Sequence, residues 1–127
     1  RSTLFPYTTL FRSIYVGTSQ AEAEDHAAGG TLRQSFEYLV EVLGSLGQLG
    51  LMKTDPTMAD AAVTPDYCLR ELCILGDTES VTEQLRCLHD EMGGFGTLLA
   101  IAHDWDDTDK WQASMRRLAT DVVPRLP

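Results

Sequence analysis

The chain has 127 residues, 43% hydrophobic and 23% charged, with 19 acidic side chains against 10 basic ones. That is one ordinary domain's worth of core, and a formal charge of −9 excludes a surface built to track nucleic acid or anionic lipid. No apolar run approaches the roughly 20 residues of a membrane span, no secretory-signal pattern is present, and three cysteines suit a reducing, cytoplasmic compartment.

Residues 1–13 stand apart. They hold none of the acidic side chains and have no helical period, and Pro6 interrupts a strand. Thr3–Ser13 looks like the in-frame translation of a common sequencing adaptor, so the segment is expected to be non-native. The remaining 114 residues carry a net charge of −11. On that reading the chain is truncated at its N-terminus.

Ile14-Tyr15-Val16 is a short β-prone run ending at Gly17. Thr18 or Ser19 then caps a helix with Glu22, Glu24 and Asp25. Gly29-Gly30 breaks it. The next helix runs from Thr31 to Leu46, with Leu32, Phe36, Leu39, Val40 and Leu43 on one face. Residues 47–64 lack a period and read as a long irregular loop, either a functional lid or a plain linker. Thr64-Pro65-Asp66 opens a short helix, with the proline at its first position.

The last 55 residues are the most regular. Leu72–Leu75 reads as a buried strand ending at Gly76, and Asp77 caps a helix whose stripe is Val81, Leu85, Leu88 and Met92. Gly93-Gly94 stops that helix. Thr97–Ala102 is a nearly continuous apolar run, the pattern of a strand buried on both faces of a parallel sheet. After His103-Asp104-Trp105, Asp106 or Asp107 caps a final helix with Trp111, Met115, Leu118, Ala119 and Val122 on its apolar face. Strand, helix, strand, helix with short loops reads as two consecutive right-handed βα units of an α/β protein with strands missing.

In parallel α/β folds the chemistry lies at the C-terminal ends of strands. Two such places occur, Gly76-Asp77-Thr78 and His103-Asp104-Trp105-Asp106-Asp107. His103 titrates near neutral pH and Trp105 offers an aromatic wall. His103 either lines the site or simply anchors a loop. A metal is not expected. Asp104, Asp106, Asp107 and Asp109 lack the glycine and distal glutamate of a calcium loop, and Cys68, Cys73, Cys87 and His89 lack a tight Cys-x-x-Cys knuckle. Gly93-Gly94-Phe95-Gly96 follows a helix, so it is a helix stop and turn, not a phosphate loop.

Several stretches carry a family resemblance: Leu75-Gly76-Asp77-Thr78-Glu79-Ser80-Val81, Gly93-Gly94-Phe95-Gly96-Thr97-Leu98-Leu99, His103-Asp104-Trp105-Asp106, and Trp111 through Ser114-Met115 and Leu118-Ala119 to Val123-Pro124. Together they resemble the tail of the bacterial-luciferase-like flavin-dependent monooxygenases, near the limonene or alkane branch. Ile14–Ala23 resembles an earlier strand-to-helix junction of that family. Thr78 and Thr108 stand where relatives often have proline. The resemblance implies a partial (β/α)8 barrel comprising its last two to three βα units. It also implies reduced FMN at the strand ends and oxygenation of a small hydrophobic substrate by O2 through a flavin peroxide. A separate flavin reductase and a homo-oligomeric parent would go with it. Gly76, His103 and Trp105 are the cofactor-binding or pocket-lining candidates it gives, with the catalytic residues unassigned and the fragment alone inactive. The alternatives are a deazaflavin-dependent oxidoreductase of the same fold and a small non-enzymatic α/β binding module.

Overall fold

The computed structural model describes residues 9–103 and 107–127. Strand β1 (Thr9–Val16) leads into helices α1 (Gln20–Gly29) and α2 (Thr31–Ser45). Two 3-10 turns, Leu49–Met52 and Asp60–Ala62, punctuate the irregular segment before α3 (Pro65–Glu71). Then follow β2 (Cys73–Gly76), α4 (Thr78–Met92), β3 (Thr97–Ile101) and α5 (Thr108–Arg117), which runs on through a π turn and a 3-10 turn to Arg125.

The helix starts are set by local chemistry. Ser19, Thr64, Asp77 and Asp107 each accept a hydrogen bond from a backbone N–H in the first turn of α1, α3, α4 and α5. Gly93 closes α4 in the left-handed conformation, at a φ of 73°. The N–H of Gly94 then reaches back to the carbonyl of His89 at 2.8 Å, and the Phe95 ring meets that histidine edge-on.

The three strands are all parallel, in the order β2-β1-β3. The sheet is open: nothing among the described residues pairs beyond β2 or β3. It is an incomplete parallel sheet flanked by helices, as in part of a (β/α) barrel. Although β2 and β3 follow one another in sequence, β1 lies between them. β1 also starts earlier than its Ile14-Tyr15-Val16 core suggests. Thr9–Ser13, from the stretch expected to be foreign, pairs in register with Thr97–Ile101. Backbone pairing requires only strand-compatible residues, and Leu10 and Ser13 are buried there.

Alternation divides the sheet into two faces. Ile14, Val16 and Ile74 point to one of them and pack with Val81 and Leu85 of α4 and with Leu118 and Val122 of the C-terminal helix. The other face is covered unevenly. Near the strand C-termini Tyr15 packs with Ala23 and Trp111, and Cys73 joins the cluster under α2 and α3. Met52 and Val63 of the irregular segment belong to that same cluster. Over β3 and the first half of β1 this face is bare, with Phe11 57%, Leu99 43% and Ile101 40% exposed. The sequence reads β3 as buried on both faces; here it is an edge strand with no layer over half of it.

Where β3 ends, α5 takes over its role. The ladder between β1 and β3 stops at Ser13 and Ile101. Three residues on, the Val16 N–H donates to Ser114 Oγ at 2.8 Å, and Arg117 donates to the Val16 carbonyl at 3.0 Å. Two side chains thus satisfy backbone groups that a strand would otherwise pair. That fixes the second half of α5 over the C-terminal end of β1.

Candidate functional site at the strand ends

The C-terminal ends of β1 and β2 meet at two glycines, with the Gly17 N–H bonded to the Gly76 carbonyl at 2.8 Å. Gly76 has a φ of 155°, and a Cβ there would lie 2.6 Å from Gln20 Oε1 and 2.8 Å from Ser80 Oγ. It is a close-packed strand-to-helix turn. Around it, Gln84 of α4 donates to the Leu75 carbonyl and to Ser80 Oγ, each at 3.0 Å.

His103 follows the end of β3. Its Nε2 lies 2.7 Å from Ser13 Oγ, and its main-chain carbonyl accepts from the Thr31 hydroxyl at the start of α2. The ring and the backbone of His103 are therefore each held by a different element. Burial pushes its pKa below the ordinary histidine value, which favours the neutral ring at pH 7. With a neutral ring, Ser13 donates to a bare Nε2 or accepts from a protonated one. Trp105, with Asp104 and Asp106, lies outside the described residues.

The sign of the His103 effect is testable. The unfolded chain takes up the proton near the ordinary value of about 6.5, whereas the folded chain resists it to lower pH. Stability is then full above about pH 6.5, falls as pH drops toward the depressed folded value, and levels off below it. His103→Gln is expected to flatten this part of a melting-temperature-versus-pH curve, and parallel curves for the two proteins would show that His103 does not carry it.

An aromatic cluster not evident from the sequence sits beside His103. The rings of Tyr15 and His26 stack at 4.2 Å, and Trp111 meets both edge-on at 5.1 and 5.5 Å. The His103 ring lies 6.5 Å from Trp111. The Tyr15 hydroxyl donates to the Glu22 carboxylate, which also accepts the Thr18 N–H. Burial raises the Tyr15 pKa, and the neighbouring carboxylate raises it further, so the phenol stays protonated. A tyrosine two residues before a strand-ending glycine, with a glutamate in the next helix's first turn, is the signal that points to this pair.

Cysteine chemistry is confined by burial. Desolvation, reinforced by Cys68, pushes the Cys73 thiol up to about 12, and Cys68 is raised by burial too. Cys87 is exposed on α4. Among the described residues no group of three or more His, Cys, Asp or Glu is arranged to hold a metal ion, and no helix is long and apolar enough to cross a membrane.

No protein-family model matches the chain. The chain is 26% identical over 121 residues to the 3,6-diketocamphane 1,6-monooxygenase of Pseudomonas putida, an alignment covering 90% of the chain and 31% of that enzyme. It is 27% identical over 124 residues to a 2,5-diketocamphane 1,2-monooxygenase of the same organism, covering 91% of the chain and 33% of the relative. A solved structure of the oxygenating constituent of 3,6-diketocamphane monooxygenase, a type II Baeyer-Villiger monooxygenase in complex with FMN, superposes with a TM-score of 0.83. That match covers 94% of this chain and 33% of the other, at 23% identity. The chain carries a third of that fold. It also spans about a third of the length of the curated relatives it matches. The proteins it is similar to are monooxygenases, one of them in complex with FMN, and none of these relatives belongs by name to the limonene or alkane branch.

Proposed function

We propose that this chain is part of a longer FMN-dependent monooxygenase that oxidises a small hydrophobic substrate with O2. The observation that carries this reading is the superposition of 94% of the chain on one third of an FMN-complexed oxygenase. His103 presents a neutral imidazole beside the buried Tyr15 and Trp111 rings, at the strand ends where α/β folds bind cofactors. His103 and Gly76, each at the end of a different strand, and Trp105 are the residues we assign to the pocket. FMN, when bound and reduced, supplies the activation of oxygen. The chain's own contribution is to wall the substrate, exclude water and hold His103 in one orientation through Ser13 and Thr31. The relatives' names point to a ketone as substrate class, and a separate reductase would deliver the reduced flavin. FMN is preferred to a deazaflavin because the superposed oxygenase holds FMN.

The test is to express the longer protein from which this chain comes and assay it with FMN, a flavin reductase and a bicyclic ketone. Oxygen consumption coupled to ketone oxidation is the expected outcome, with the 127-residue chain alone retaining no stoichiometric flavin. Flavin bound by the short chain, or an extended protein that turns over only with a deazaflavin, would sink the reading.

A further inference from the structure

Helix α2 carries more apolar surface than its contact with the core uses. Leu32 and Phe36 are buried, and Val40 and Leu43 pack against the same cluster. Its three charged residues, Arg33, Glu37 and Glu41, follow at four-residue spacing and share a second face. Arg33 pairs there with Glu37 and with Asp66 of α3. The third face holds Tyr38, Leu39, Val42 and Leu46 and no charge. Tyr38 is 67% exposed, Leu46 65% and Leu39 40%, and Val42 is half-buried. One apolar stripe seats a surface helix on its core, so a second contiguous stripe marks a second contact.

We infer that a second copy of this chain docks on that face, with the two α2 helices antiparallel. The pattern is self-complementary. Tyr38 and Leu46, its two most exposed members, stand four residues to either side of Val42. A two-fold axis at Val42 therefore sets each Tyr38 against the other copy's Leu46, as a closed symmetric contact requires. The tyrosine suits that place, with an apolar ring to bury and a hydroxyl that reaches the wet rim. Glu37 and Glu41 of both copies stay on the far side, so like charges do not meet. A strongly charged partner, by contrast, would find nothing on this face to pair with. The four side chains leave roughly 400 Å² per chain in water, and two such faces with their polar rims bury about 1,000 Å², the lower end for a specific interface. That size fits a reversible dimer with a dissociation constant in the micromolar range or weaker. The inference concerns this chain's own surface and stands apart from the flavin reading.

The test is sedimentation velocity on the full 127-residue chain from micromolar to about millimolar concentration. A monomer–dimer equilibrium is expected, tightened by salt because each copy carries a charge of −9. Tyr38→Lys and Leu46→Glu should each weaken it about tenfold or more, with circular dichroism unchanged. Mixing those two variants should restore association, because the antiparallel pairing sets the new cation against the new carboxylate. Leu99→Glu, on the bare half of the sheet, should leave the dimer as it was. A chain that stays monomeric throughout overturns the inference. So does a dimer that Leu99→Glu abolishes and the α2 variants leave intact, and a mixture that remains monomeric overturns the antiparallel pairing.

Discussion

Gly76→Ala is expected to be among the most damaging single substitutions in the chain, lowering stability by about 2–4 kcal/mol through overpacking and an unfavourable φ combined. The added methyl would sit 2.6 Å from Gln20 Oε1 and 2.8–2.9 Å from the Ser80 side chain. The exposed Gln20 side chain can swing aside, but Ser80 cannot retreat freely. The Ser80 hydroxyl is bonded to Gln84, and Ser80's own N–H is held by the Asp77 cap at 2.9 Å. Gly76 also supplies the carbonyl that accepts the Gly17 N–H. A shift at this turn therefore disturbs the start of α4 and the junction between two strand ends together. The checking measurement is urea unfolding followed by far-ultraviolet circular dichroism. A clearly lower midpoint with an unchanged slope is expected, whereas a midpoint within error of the parent chain would mean the turn can relax.

This turn shows which parts of the structure are legible in the sequence. Leu75-Gly76-Asp77 specifies a strand end, a tight turn and a helix cap through residues in direct succession. Likewise Thr64-Pro65 and Ser19 mark helix starts, and Gly93-Gly94 marks a stop, because each acts through hydrogen bonds within a few residues. The start of β1 is not legible, since Thr9–Ser13 becomes strand only by pairing with Thr97–Ile101 far along the chain. Strand order is equally non-local. Nothing in the spacing of β2 and β3 says that β1 separates them.

The site divides along the same line. His103 is legible as a strand-end histidine, but the two groups that hold it, Ser13 and Thr31, come from β1 and α2. Trp111 reads as one more core residue on the stripe of α5, and so it is by burial. Its neighbours Tyr15 and His26 come from the first quarter of the chain, so the aromatic cluster exists only once α5 docks on β1. The polar bonds from Ser114 and Arg117 to Val16 make that docking specific.

The contrast between the two sheet faces yields the second large effect. Leu85 of α4 is fully buried, packed in the cluster that joins β1, β2 and the C-terminal helix. Leu85→Ala is expected to cost about 2–5 kcal/mol, from lost burial plus the cavity left behind. Leu99 has an equally apolar sequence context and is read as core, yet it is 43% exposed at the edge strand. Leu99→Ala is therefore expected to cost less than about 1 kcal/mol in this chain. Paired denaturation curves distinguish the cases. A Leu99→Ala cost approaching that of Leu85→Ala would mean that the bare half of the sheet is covered in solution, by another copy of the chain or by a rearranged segment. A small cost confirms an unclosed sheet. In an extended protein in which further strands and their side chains cover that face, the same Leu99→Ala substitution should become as expensive as Leu85→Ala. The change in one mutation's cost between the short and extended proteins thus reads out directly where the additional strands pack.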